Sequence, residues 1–226
     1  MPRLALALVA AALIAADGPL AFTPKPKIAA DLPLVINEDF EHARTDHFEF
    51  TDRNAWKFTT TDGNTVADQF QASKYTPKVR SPFNFALFTK SDVTDFVLDL
   101  KVRSTARDYN HRDVCLIFGH QDPSHFYYVH LGKAADPHAH SIFLVNDQPR
   151  VSIAEDRTKG TPWTDGWHHV RLARNVGSGL IQVYFDDMDK PIMTAHDKTF
   201  THGRIGLGTF DDTAQFDVVQ VWGKRP

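Results

Sequence analysis

The sequence of 226 residues contains a single cysteine, Cys115. One thiol cannot close an intramolecular disulfide, so the fold has to rest on its apolar core, with a bound ion as the other available staple. Basic charge is not concentrated anywhere: 25 Lys and Arg stand against 28 Asp and Glu, with no block of one sign. A nucleic-acid partner, which needs a basic stripe, is therefore not expected. The apolar run Leu4–Ala16 falls well short of the roughly 20 residues that cross a bilayer as a helix, so no transmembrane span is expected. Arg3 precedes the run and Asp17, Gly18 and Pro19 end it, which is the pattern of a signal peptide. Residues 1–21 are assigned to it, with cleavage after Ala16 or Ala21, and the mature protein is expected to be secreted or periplasmic. No cysteine stands just after the run, so lipidation at that end is not expected.

Long amphipathic helix patterns are absent as well, and what fills the chain instead has a period of two. Phe96, Leu98, Leu100 and Val102 alternate with Val97, Asp99, Lys101 and Arg103, and Ile181, Val183 and Phe185 alternate with Gln182, Tyr184 and Asp186. Alternation of this kind marks half-buried strands. About fourteen short segments qualify between Leu34 and Trp222, separated by turn chemistry such as Asp62-Gly63-Asn64, Asp122-Pro123-Ser124 and Gly177-Ser178-Gly179. Pro24, Pro26 and Pro33 give residues 22–33 the character of an extended linker, leaving residues 34–226 as one domain. Many short strands with polar turns predict an all-β fold, an antiparallel two-sheet jelly-roll sandwich, with its first and last strands adjacent.

Four pieces of the C-terminal half carry a family resemblance: Gly166-Trp167-His168-His169-Val170-Arg171-Leu172, Ile181-Gln182-Val183-Tyr184-Phe185-Asp186-Asp187, Gly203-Arg204-Ile205-Gly206-Leu207-Gly208 and Phe216-Asp217-Val218-Val219-Gln220-Val221. In this order they resemble concanavalin A-like and laminin G-like domains, and among them the bacterial 3-keto-disaccharide hydrolase domain family, which neighbours family 16 glycoside hydrolases. Asp39-Phe40-Glu41 is similar to the opening strand of that family. The resemblance implies a jelly roll acting on glycosides or polysaccharide, as a hydrolase or as a sugar-binding relative. It also implies a structural calcium clamping the first and last strands through Glu38, Asp39 and Asp217, oxygen ligands of the kind calcium takes. After Asp217, where relatives commonly carry a second polar residue, this chain has Val218.

Six of the twelve histidines lie between His111 and His140. On Phe126–Leu131 the residues Tyr127, Val129 and Leu131 form the set to be buried, which turns Phe126, Tyr128 and His130 to the opposite face. Two chemistries are open there. Tyr128 and His130 could serve as acid and base of a jelly-roll polysaccharide lyase, with Arg150 and His138 or His140 holding a sugar carboxylate. Alternatively, the same residues line a sugar groove without chemistry. Tyr128, Tyr184 and Trp167 are the candidate stacking platforms for carbohydrate. His138 and His140, two apart, could reach one zinc ion but lack a third ligand. The family 16 signature E-x-D-x-x-E occurs nowhere; Asp113, Glu155, Asp156 and Asp186 are carboxylates without an assigned pairing. Cys115, among apolar neighbours, is expected to be a small buried residue. A non-catalytic laminin G-like adhesion module remains as an alternative, and it would show an apolar partner patch.

Overall fold

A computed structural model describes residues 19–226. Most of the expected signal peptide lies outside the described residues. Sixteen strands follow one another: β1 (Leu34–Glu38), β2 (Phe48–Phe50), β3 (Trp56–Thr61), β4 (Asn64–Gln69), β5 (Asn84–Phe88), β6 (Phe96–Ser104), β7 (Cys115–Asp122) and β8 (His125–His130). The second half adds β9 (Ser141–Asn146), β10 (Val151–Ser152), β11 (Asp156–Arg157), β12 (His168–Arg174), β13 (Leu180–Phe185), β14 (Met193–His196), β15 (Arg204–Thr209) and β16 (Ala214–Gly223). The helical elements among the described residues are three single-turn 3-10 helices.

Nine strands form the larger sheet, in the order β11-β14-β13-β12-β6-β16-β4-β3, and β1 joins β16 beside β4. The smaller sheet has seven strands in the order β10-β9-β8-β7-β15-β5-β2. Every pairing is antiparallel, and the first and last strands are neighbours through Ile36↔Val221 and Glu38↔Val219. This is the two-sheet antiparallel jelly-roll sandwich that the alternating pattern predicts.

The inner faces of the two sheets supply the main core, including Leu98, Leu100, Val102, Leu116, Phe118, Tyr127, Val129, Val170, Leu172, Val183, Phe185 and Leu207. Their alternation puts the intervening residues outside, where each sheet meets a different cover. Residues 22–33 lie against the larger sheet: Ala29 and Leu32 pack on Val97, Ala173 and Trp222, and Thr23 Oγ1 donates to Asp99 at 3.2 Å. The smaller sheet is covered by the 70–83 segment between β4 and β5. Val79 and Phe83 pack on Phe85, Leu87, Ile117, Phe126, Tyr128 and Phe143, which form a second apolar cluster. The cover is tied at both ends, by Lys74 N to Asp52 Oδ2 at 2.7 Å and by Phe83 N to Phe210 O at 2.9 Å.

Candidate functional site

The strand β8 turns as its pattern predicts, with Tyr127 and Val129 in the inter-sheet core and Tyr128 on the other side. That other side is not an open groove. Tyr128 is 0% exposed and His130 4%, because the 70–83 segment and Phe210 close over them. The Tyr128 hydroxyl has no hydrogen-bond partner, and burial pushes its pKa well above the usual phenol range. A phenol in that state does not stack on a sugar and does not ionise near neutrality.

His130 is equally committed. Its Nε2 lies 3.0 Å from Asp113 Oδ2 and its Nδ1 accepts the backbone N–H of His140 at 3.2 Å. Nδ1 therefore carries no proton, and Nε2–H donates to Asp113. Asp113, completely buried at the entrance to β7, takes two further donors on the same oxygen, Phe210 N at 2.9 Å and Cys115 Sγ at 3.4 Å. Its other oxygen, Oδ1, is buried without a partner. Cys115 is a buried thiol, as its neighbours predict, and burial together with Asp113 raises its pKa well above the ordinary value. Asp113, Cys115 and His130 lie close enough to share a metal. The histidine tautomer argues against that use, because the nitrogen facing the group is the protonated one.

From this buried cluster a polar rim opens toward solvent. The turn between β15 and β16 brings Asp211 and Asp212 to Asp113, one oxygen of each within 4.8 Å of the others. Asp212 is fixed by Tyr109 Oη, donating at 2.8 Å, and by Asp113 N, donating at 2.9 Å. Burial and the nearby Asp113 carboxylate push its pKa up to about 6, and the same causes raise that of the exposed Asp211. Arg150 borders the group with its guanidinium 4.2 Å from the Phe210 ring centre and 4.9 Å from that of Phe143. Its Nη2 donates to His138 O at 2.8 Å, while Nη1 is turned inward and buried without a partner. The His138 side chain is exposed at this edge.

His140 sits behind the rim, fully buried, with φ of 51°. Its Nε2 is 2.9 Å from Thr158 Oγ1 and its Nδ1 3.0 Å from Thr161 Oγ1. The Thr158 hydroxyl proton already goes to Gly160 O at 3.0 Å, so Thr158 can only accept from Nε2–H and Thr161 must donate to Nδ1. Both ring nitrogens are used, which leaves His140 no lone pair for zinc alongside His138.

Tyr184 and Trp167 belong to the opposite side of the molecule. Tyr184 stands in a row of outward residues across the larger sheet, paired with Arg171, which pairs with Asp99, which pairs with Gln220, which pairs with Asn37. Arg171 grips Asp99 through two bonds of 2.6 and 2.7 Å. The Arg103 guanidinium lies over the Trp167 ring, 5.0 Å from its centre. Both sheets and the core separate this face from Tyr128 and Arg150, so a single groove shared by Tyr128, His130 and Tyr184 does not form. Parity tells which way a side chain turns on its strand; the sheet to which the strand belongs is set by non-local pairing.

Glu38, Asp39 and Asp217 do not make a calcium cage. Glu38 shares the inward parity of Ile36 and is occupied by His47 at 2.8 Å and Phe40 N at 2.9 Å. Asp217 follows Phe216 of the core and turns outward, where it accepts from Asn64 Nδ2 at 2.9 Å and Val218 N at 2.7 Å. The Glu38 and Asp217 oxygens therefore leave the sheet on opposite sides, while Asp39 is close enough to Asp217 for its charge to help raise the Asp217 pKa. Val218, at a bulge with φ of 42°, contributes a backbone kink in place of a polar ligand.

A basic cleft at the far end of the smaller sheet includes Lys90, His120, His202, Arg204 and Arg225. Arg204 is already engaged with Glu49 at 2.6 Å, and the His202 ring is held by Asp92 at 2.9 Å. Sequence reasoning missed Asp211 and Asp212 because a pair of acids at the end of a strand reads as an ordinary polar turn.

No protein-family model matches the sequence, and no curated protein matches it. Solved structures do resemble the fold. The carbohydrate-binding module CBM66 from Bacillus subtilis superposes with a TM-score of 0.55 at 19% identity, over 78% of this chain and 96% of that one. The Emp47p carbohydrate recognition domain gives 0.53 at 11% identity, over 85% and 94%. A candidate glycosyl hydrolase from Parabacteroides distasonis gives 0.52 at 13% identity, over 83% and 99%. At such identities the likeness is one of fold.

Proposed function

We propose that the protein is a carbohydrate-binding sandwich whose ligand site is the rim formed by Asp211, Asp212, Arg150 and His138. The observation that carries this reading is Asp211, an exposed carboxylate beside two others and within the field of the Arg150 guanidinium. Carboxylates accept hydrogen bonds from pairs of sugar hydroxyls, and the Arg150 charge holds the carboxylates together at the rim. With no cation bound, Asp113, Asp211 and Asp212 outnumber Arg150, so a neutral glycan fits better than a uronic acid, which they would repel. This turns the reading away from a lyase of acidic polysaccharide. Tyr128 and His130 act in it as supports, holding Asp113 and the floor beneath the rim. The carbohydrate-binding neighbours of the fold and the signal-like residues 1–21 support a glycan met outside the cytoplasm. A laminin G-like adhesion role has less support, because among the described residues only Ile28, Leu34, Phe70 and Val151 are exposed large apolar side chains, little for an apolar partner surface.

A hydrolytic reading has one observation in its favour, the Asp212 pKa of about 6, which suits a general acid. Against it, both Asp212 oxygens already accept a donor, so the carboxyl is held as an acceptor rather than presented as an acid. The test is affinity electrophoresis in neutral and acidic polysaccharides, run with an assay for released reducing ends. Retardation in a neutral polymer without product supports the binder. Product release that disappears in Asp212→Asn supports the hydrolase, and retardation only in a uronic acid polymer with chelator present refutes the site.

A further inference from the structure

We propose that Asp113, Asp211 and Asp212 bind one divalent cation, calcium by the chemistry of the donors, with the open coordination positions facing solvent at the rim. The inference stands on the geometry of the three carboxylates and does not depend on the sugar reading.

All three donors are hard oxygens, and one oxygen of each lies within 4.8 Å of the other two. Oxygens around a calcium ion stand about 2.3–2.6 Å from it, so two on opposite sides are roughly 5 Å apart. The three fit a single coordination sphere. An independent observation points to a ligand as well: Asp113 is completely buried, its Oδ2 carries His130, Cys115 and Phe210 N, and its Oδ1 has no partner. A buried carboxylate oxygen without a donor is rare, and a cation is the group that satisfies it together with two further carboxylates. The site is also preformed. Asp212 is steered by Tyr109 and the Asp113 amide, and Asp113 by its three donors, while the exposed Asp211 leaves an entry path. His130 presents a donor N–H to the cluster and Arg150 a guanidinium, so neither competes as a ligand. Calcium takes 6–8 oxygens, and the positions these three do not fill would go to water or to sugar hydroxyls.

The experiment is calorimetric titration of CaCl2 into the chelator-treated full chain, with Tb3+ luminescence as a second readout. One ion per chain is expected, with Kd on the order of 10^-6 to 10^-3 M. Asp211→Asn, an exposed substitution that leaves the core intact, should weaken binding by roughly tenfold or more, as should Asp212→Asn, while Asp39→Asn and Asp217→Asn bind as the wild type does. The proposal is overturned if 10 mM calcium, about ten times the Kd of the weakest such sites, gives neither heat nor a shift in melting temperature. It is equally overturned if both Asp211→Asn and Asp212→Asn bind unchanged. Sugar binding that persists in chelator while calcium binding is absent would sink this inference and leave the sugar reading standing; calcium binding without any glycan ligand would do the reverse.

Discussion

Lowering the pH from 7.5 to 4.5 acts on the fold through His140. Its pKa is pushed from 6.5 to about 4, first by burial and then by the charge of Arg157. The ring is completely buried, and both nitrogens are held by threonine hydroxyls in the neutral tautomer. Because the folded pKa lies below the unfolded one, the unfolded chain takes up the proton first. The stability contributed by neutral His140 is therefore fully present above about pH 6.5 and is lost as the pH falls toward 4. A difference of about 2.5 units, weighted for pH 4.5, corresponds to about 2.5 kcal/mol. His120 titrates in the same direction, its pKa also brought to about 4 by burial, so the wild type alone cannot isolate the effect. The comparison needed is His140→Asn, since asparagine tolerates the positive φ of 51° and keeps a polar group in the pocket. Urea midpoints measured at pH 7.5 and 4.5 should show wild type ahead of the variant at the higher pH. That gap should shrink by about 2 kcal/mol or more at the lower. A gap of equal size at both pH values would refute the argument.

Three other perturbations follow from the same structure. Asp217 is pushed up to about 6, chiefly by burial, so its contribution is present below about pH 4 and lost as the pH rises through 6; Asp217→Asn should melt higher than wild type at pH 7.5 by on the order of 1–2 kcal/mol and gain nothing at pH 3.5. If the gain is equal at the two pH values, ionisation is not its source. Gly208→Ala would place a Cβ 2.2 Å from Asn84 O and 2.7 Å from Phe85 Cβ, in the seam between β15 and β5. It should cost about 3 kcal/mol or more in chemical denaturation, and a loss below about 1 would contradict the close pairing drawn there. Tyr184→Ala and Trp167→Ala, on the larger sheet, should leave glycan retardation unchanged, whereas a loss in either would move the site to that face.

The strands were legible because nothing but burial on one side produces a strict period of two. The pattern places β6 and β13 residue by residue and turns Tyr128 and His130 away from the inter-sheet core. β2, three residues long, and β11, two residues long, carry too few alternations to show a period. The exposure of Tyr128 was not legible at all. Its cover, residues 70–83, contains Pro77 and Pro82 and has no regular pattern, so nothing local announces that it folds over β8. The side of the sandwich to which Tyr184 belongs was hidden for a related reason, since β13 joins β12 and β14 by register rather than by composition. Glu38 and Asp217 look like neighbours because their strands pair, yet the bulge and parity around Val218 send their carboxylates to opposite faces. The meeting of Asp113 with Asp211 and Asp212 spans nearly a hundred residues and needs β7 and β15 to be adjacent.

The most direct test of the central claim is backbone amide chemical-shift mapping of the protein titrated with a neutral oligosaccharide that retards it in affinity electrophoresis. The account predicts that the shifts concentrate at Tyr109–Asp113, His138–His140, Arg150 and Phe210–Thr213, and that they vanish in Asp211→Ala. Shifts confined to the face of Tyr184, Arg171 and Trp167, or a wild-type pattern retained in Asp211→Ala, would contradict it.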